Sequence, residues 1–185
     1  QAPATNLFVA NTAEANASPA IRLRFATNHD QSAWDATPVT LFGGVEASFA
    51  AQAAAVLMGG VPLIYSGQEV GVTGTQSFFA KDPVNWSANP GLPERFGALF
   101  ALRLEHDALR YGSLKPYSHP NILAFERQLD GERVLVLINT RAAAVTYTIP
   151  TALRETDWTD ALRAESKSLG TSLAMAAFEV LVLVN

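Results

Sequence analysis

The sequence predicts an α/β segment followed by an all-β sandwich. Three observations carry that reading. Between residues 22 and 65, two short apolar stretches flank an alanine-rich stretch with no breaker, the pattern of a βαβ unit with parallel strands. After Gly112, strand candidates recur at roughly ten-residue spacing with turn residues between them, the pattern of an antiparallel sandwich. Apolar residues form 49% of the 185 positions, enough for a sizeable core and too many for a disordered chain.

Charge narrows the function classes. Charged residues are only 16%, so part of the surface is expected to be covered by something else. Net charge is −4 and no run of Lys and Arg occurs, which argues against nucleic acid or an anionic membrane as the main partner. Without cysteine there is no disulfide or thiolate chemistry. The apolar runs Ala53–Met58 and Phe178–Val184 are far too short to span a membrane. No signal-peptide pattern opens the chain, and its start at Gln1 without Met is what a mature segment or an excised piece would show.

Residues 1–20, rich in Ala, Asn, Thr and Ser, read as an irregular lead-in with a short helical turn near Leu7-Phe8-Val9. Arg22 to Thr27 alternates and is bounded by Pro19 and by Asn28-His29-Asp30, which gives a strand of six residues. Gly43-Gly44 and Gly59-Gly60 bracket a helix over Val45 to Met58, with Phe49, Ala53, Val56 and Leu57 on its buried side. Val61 to Tyr65 reads as a buried strand whose Pro62 sits near the start, where a missing N–H is tolerated. Ser66 to Gly91 is a long loop of the kind that usually serves function. Pro93 opens a helix to about Arg110, with Phe96, Leu99, Phe100 and Leu104 buried. We place a domain boundary at residue 112. Beyond it the strand candidates are Leu114–Tyr117, Ile122–Gln128, Arg133–Asn139, Val145–Ile149 and Phe178–Val184, with Asp130-Gly131 as a hairpin turn between two of them.

His29 and Asp30 fall at the C-terminal end of the first strand, the end at which parallel α/β barrels build their sites; the triplet also reads as a simple turn. Glu69 lies just past the second strand, on the same rim if the strands are parallel neighbours, and reads either as part of a site or as an acceptor for backbone donors in its loop. Trp34, Phe78, Phe79 and Trp86 offer flat faces for sugar rings, or pack as a lid, whereas Trp158 reads as a packing residue of the sandwich. His29, His106 and His119 are far apart and suggest no metal site. There is no phosphate-cradling glycine loop and no serine nucleophile elbow.

These stretches together resemble the α-amylase family of glycoside hydrolases. Arg24-Phe25-Ala26-Thr27-Asn28-His29-Asp30 resembles the motif of its seventh barrel strand. Gly60-Val61-Pro62-Leu63-Ile64-Tyr65-Ser66-Gly67-Gln68-Glu69 resembles that of the eighth. Phe78 to Trp86, with Asp82-Pro83 inside it, is similar to the loop before the last barrel helix, and Leu102 to Gly112 to the end of that helix. The hairpin around Asp130-Gly131, Trp158-Thr159-Asp160 and the terminal strand resemble the appended sandwich, domain C. The resemblance covers residue 20 to the end. It implies the C-terminal βαβα portion of a TIM (β/α)8 barrel over residues 1–112, followed by a β-sandwich domain C over 113–185.

The resemblance further implies that Asp30 is the family's third carboxylate, which stabilises the transition state without attacking or protonating. His29 matches a residue that hydrogen-bonds the same sugar, and Trp34 joins it as a substrate-binding candidate. Gly60, Pro62, Tyr65, Gly67 and Glu69 form a structural motif that supports the rim. No residue matches the nucleophile or the general acid, which the family carries on earlier strands. The implied parent is a retaining glycosidase of α-1,4-glucans such as starch or maltodextrins; a transglycosylase is the alternative within the family, and a non-catalytic carbohydrate-binding module the alternative outside it. The expected partners are an α-glucan and the missing N-terminal part of the same enzyme, with self-association of the isolated chain. No metal or cofactor is expected in this segment, with room for calcium in the full-length enzyme. The family suggests a secreted, periplasmic or cell-surface location.

Overall fold

One antiparallel sheet, apolar on both faces, organises the molecule. The computed structural model describes residues 2–18 and 20–185, so Pro19, expected to bound the first strand, and Gln1 lie outside the described residues. The N-terminal part runs α1 (Asn6–Ala17), β1 (Leu23–Arg24), α2 (His29–Trp34), α3 (Pro38–Phe42), α4 (Val45–Leu57), β2 (Val61–Pro62), a 3₁₀ turn (Gln68–Val70), α5 (Leu92–Glu105) and α6 (Asp107–Tyr111). The strands β3 (Ser113–Tyr117), β4 (Ile122–Leu129), β5 (Glu132–Asn139), β6 (Val145–Thr148), β7 (Thr156–Asp160), β8 (Glu165–Leu169), β9 (Ser172–Met175) and β10 (Val180–Val184) follow. Six of them form a sheet in the order β3-β4-β5-β10-β7-β8, and β6 pairs with β9.

Side chains alternate across a strand with period two. Leu123, Phe125, Val134, Val136, Ile138, Val180 and Val182 therefore share one face of the sheet. They pack against Phe8 of α1, Phe49, Val56 and Leu57 of α4, and Phe96 and Leu99 of α5. Ile122, Ala124, Leu135, Leu137, Leu181 and Leu183 share the other face with Tyr147, Ile149, Leu153, Trp158 and Met175. Burial on both faces explains why β4, β5 and β10 read as continuous apolar runs. The first of these cores runs straight across residue 112, so the helices complete the sheet's packing.

The parallel βαβ step is present: Leu23 pairs with Val61 and Arg24 with Pro62. Both strands are shorter than expected. Beyond Arg24, the Gln52 side chain of α4 enters the ladder: its Oε1 accepts from Ala26 N–H at 3.1 Å and its Nε2 donates to the Leu63 carbonyl at 2.8 Å. A side-chain amide thus takes the place of the next backbone rung. Gly60 is held to glycine by close approach. Its φ is +79°, and a Cβ there would meet the Arg22 carbonyl oxygen at 2.5 Å.

Other expectations are corrected. Residues 6–17 form a full helix where an irregular lead-in was expected; its Asn and Thr residues disguise it, and tertiary contacts hold it. Phe8 meets Phe125 edge-on at 6.3 Å, Glu14 pairs with Arg24 at 2.8 Å, and Asn11 Oδ1 accepts from Arg24 at 2.6 Å. The helix expected over 93–110 breaks at His106, whose backbone is extended (φ −108°, ψ 105°). Leu104 is 66% exposed, not buried. Eight residues from Phe96 rotate the side chain by roughly 80°, off the buried stripe. Phe178 has φ +55° and precedes the last strand without joining it. Strands β7 to β9 were not anticipated as strands; β8, the sheet's edge, carries Glu165, Ser166, Lys167 and Ser168, polar residues that mask the apolar signal while protecting the edge. The Asp130-Gly131 hairpin is as expected, with φ of +48° and +93°, the pair of positive values a type I′ turn needs.

Candidate active-site rim

The end of β1 leads directly into α2, and the local sequence explains the turn. Asn28 is extended (φ −111°, ψ −171°) and caps the helix: its Oδ1 accepts from Gln31 N–H at 3.1 Å, while Gln31 Oε1 accepts from Asn28 N–H at 3.2 Å. His29 and Asp30 are the first two helical residues, so a carboxylate sits in the first turn, where free N–H groups favour it. Both are well exposed, and His29 Nε2 lies 3.6 Å from Asp30 Oδ2. Asn-His-Asp is thus the mouth of a short helix, a third possibility beside a plain turn and a strand end.

A buried polar layer lies next to this mouth. Gln68 Nε2 donates to the Thr27 carbonyl (3.0 Å) and hydroxyl (2.7 Å), Gln68 Oε1 accepts from Tyr65 N–H (3.2 Å), and the Thr27 and Ser32 hydroxyls are 3.1 Å apart. Thr27, Ser32 and Gln68 are all buried. These bonds tie the end of β1, the start of α2 and the turn after β2 into one unit. The sequence reading gave no role to Gln52 or Gln68; for Gln52 the signal was a lone amide inside an alanine-rich stretch.

Glu69 Oε2 accepts from Gly67 N–H at 2.9 Å, so its carboxylate is engaged by its own loop. Gly67 itself is left-handed (φ +92°). Tyr65, His29, Phe78, Trp34 and Phe79 form a chain of ring contacts with successive centroids 6.0 to 6.4 Å apart. Trp34 is 67% and Phe79 86% exposed, so their faces are open at the rim. Gln76 fastens this loop, donating its backbone N–H to the Ser32 carbonyl (2.9 Å) and its side chain to the Ser66 carbonyl (3.0 Å). Trp86 is exposed and has no ring partner among the described residues. Asp82 accepts from Ser77 N–H at 3.2 Å, within the loop.

The sandwich offers no comparable aromatic face. Tyr117, Phe125, Tyr147 and Trp158 are buried in the two cores. Among the described residues no three His, Asp or Glu side chains converge as metal ligands.

Residues 113–178 match the family model described as the maltogenic amylase C-terminal domain. Curated relatives extend the match. The chain is 29% identical over 137 residues to neopullulanase 2 of Thermoactinomyces vulgaris, covering 68% of this chain and 23% of that protein. It is 31% identical over 91 residues to a beta/alpha-amylase of Paenibacillus polymyxa, covering 49% of this chain and 8% of that one. The chain is similar to the C-terminal part of α-amylase-family enzymes, the last two barrel strands and the appended β domain, and it spans less than a quarter of the curated relatives it matches. The solved structure of an Anoxybacillus α-amylase superposes with a TM-score of 0.74 at 18% identity, covering 90% of this chain and 38% of that one. A Nostoc punctiforme debranching enzyme superposes with a TM-score of 0.65 at 22% identity, covering 89% and 34%. The superpositions establish the fold. No closed barrel is formed by the residues present: β1 and β2 stand as a two-stranded sheet.

Proposed function

We propose that this chain is the C-terminal part of a retaining glycosidase that hydrolyses α-1,4-glucans such as starch and maltodextrins, and that Asp30 is its transition-state-stabilising carboxylate. The observation that carries this reading is the exposed His29–Asp30 pair on the capped first turn of α2, backed by the buried Thr27–Gln68–Ser32 layer. The relatives named amylase and neopullulanase support the substrate class.

The chemistry follows from charge. Departure of the leaving sugar builds positive charge on the anomeric carbon and ring oxygen. A carboxylate fixed beside that charge lowers the barrier only if it is already oriented, which the Asn28–Gln31 box and the Gln68 bonds accomplish. His29 donates to a hydroxyl of the same sugar, and Trp34 stacks on a neighbouring ring. Glu69 is spent on Gly67 N–H and supports the rim rather than reacting. Retaining hydrolysis also requires a nucleophile and a proton donor about 5–5.5 Å apart. We place both on the part of the enzyme preceding residue 1, with the barrel segment ending at residue 112 and domain C following. We further propose that the enzyme works outside the cytoplasm, and that this chain binds no calcium of its own.

The test is reducing-sugar release from soluble starch, by the complete protein and by the 185-residue chain alone. The complete protein releases sugar and the chain does not rise above buffer. Release by the chain that disappears in Asp30→Ala would mean that the segment holds a whole active site, and this reading would fall.

A further inference from the structure

No Lys/Arg run occurs in the sequence, yet the fold gathers arginines. Arg22 and Arg24 at β1, Arg103 of α5, Arg110 of α6 and Arg127 of β4 line one cavity of about 480 Å³. The cavity opens at the N-terminal ends of β1 and β2, opposite to the rim that carries Asp30. Its deep wall is well built. Arg127 donates to the Ala108 carbonyl (3.1 Å) and the Met58 carbonyl (2.8 Å). Arg103 donates to the Val56 and Leu109 carbonyls (both 2.9 Å) and to that of Gly60. These carbonyls include the last of α4, so both guanidinium groups close a helix C-terminus.

Carbonyl caps leave the charge uncompensated. Glu14 pairs with Arg24, and Asp107 with Arg110. Arg22, Arg103 and Arg127 have no ion pair among the described residues, so three positive charges remain in a chain whose net charge is −4. Burial, then the nearby Arg103 charge, pulls the Arg127 guanidinium down to about 10, and burial followed by the Arg110 charge lowers Arg103. Both shifts have the sign of cations lacking a counter-ion. Donors are also spare: among the described residues Arg22 uses only Nη2 and Arg127 leaves Nη2 free.

We propose that this cavity is an anion site that takes a phosphate group, as free phosphate or as the phosphomonoester of a small sugar. Several guanidinium forks with uncompensated charge suit a dianion with oxygens on all sides better than a carboxylate with two. The volume lies within the roughly 300–1,000 Å³ of small-molecule pockets, so an organic group fits behind the phosphate. Ile21 and Tyr111, 79% and 71% exposed, give the mouth an apolar wall for it. The inference is independent of the glycosidase reading, because its residues and those around Asp30 lie at opposite strand ends.

The experiment is titration calorimetry of the 185-residue chain at constant ionic strength with inorganic phosphate, glucose 6-phosphate and glucose. Both phosphate compounds bind, glucose does not, and added salt weakens binding. Glucose 6-phosphate binding more tightly than phosphate assigns the site to an ester; equal affinity assigns it to the free ion. The double variant Arg22→Gln, Arg110→Gln raises Kd at least tenfold, while Lys167→Gln on the distant β8 leaves it unchanged. As a second measurement on the unmodified chain, phenylglyoxal labelling followed by mass spectrometry shows glucose 6-phosphate slowing modification of Arg22 and Arg110 at least fivefold, with Arg95 unaffected. Absence of phosphate binding, an unchanged Kd in the double variant, equal binding of glucose, or no protection of Arg22 and Arg110 overturns the proposal.

Discussion

The Gln68 side chain donates to Thr27 twice, to the carbonyl at 3.0 Å and to the hydroxyl at 2.7 Å, and so joins the ends of two parallel strands whose own ladder has already stopped. A leucine at position 68 has similar bulk but leaves the Thr27 carbonyl and the Tyr65 N–H without their partner. An unmade buried hydrogen bond costs about 1–3 kcal/mol. Gln68→Leu should therefore lower stability by about 2–3 kcal/mol in urea denaturation. A loss within error of zero would mean that this amide does not hold the rim.

Leu57 of α4 is fully buried in the core that α4 shares with β4, β5 and β10. Its loss should therefore be felt on both sides of residue 112. Leu57→Ala is expected to cost about 3 kcal/mol. Hydrogen exchange should quicken together in α4 and in β4 and β5. Protection lost in the helices alone would show that the sheet is an independent folding unit.

Glu126 is fully buried in the sheet. Its Oε1 accepts from Arg133 and from Gln128 (2.8 Å), its Oε2 from Tyr117 (2.8 Å), and the Arg133 guanidinium lies 4.9 Å over the Trp158 ring. Burial alone would raise its pKa. The donated bonds, led by that from Arg133, together with the Arg133 charge outweigh burial and hold it below the ordinary range. A depressed carboxylate contributes stability above its unfolded value, about 4.3, and loses that contribution as pH falls through the lower folded value. Glu126→Gln should thus be less stable than wild type at pH 7, and the gap should narrow below about pH 4.3. Arg133→Met, which strands the charge, should cost about 2–3 kcal/mol at neutral pH, below the full buried-pair figure because Arg133 is 31% exposed. Parallel pH–stability curves for wild type and Glu126→Gln would refute this assignment.

Much of this fold was legible in the sequence because its punctuation is local. Glycine pairs bracket α4, Asp130-Gly131 sets a hairpin, and period-two apolar runs mark β4, β5 and β10. The illegible parts depend on contacts across the chain. Residues 6–17 carry little helix signal and are held by Phe125 and Arg24. β1 and β2 are cut short by Gln52, a residue from the helix between them. Asn28-His29-Asp30 was visible as a motif, but the tie from Gln68 to the neighbouring Thr27 was not, since that bond spans 41 residues. The arginine cavity was invisible for the same reason: its five arginines come from four separate elements.

Leu23 and Val61 are 54% and 52% exposed, in a two-stranded sheet whose outer edges are unpaired among the described residues. We expect the isolated chain to self-associate through these strands. Light scattering should show mass rising with concentration, and Leu23→Lys with Val61→Lys should reduce it. A wild-type chain that stays monomeric at high concentration would exclude this behaviour.

Steady-state kinetics of Asp30→Asn in the complete protein test most directly whether Asp30 stabilises the transition state of glucan hydrolysis. Loss of one preorganised electrostatic partner costs roughly 10²–10³ in kcat. We expect kcat to fall by at least that factor, roughly 10², while KM changes little, because the interaction belongs to the transition state. A kcat within a few-fold of wild type would remove Asp30 from the mechanism.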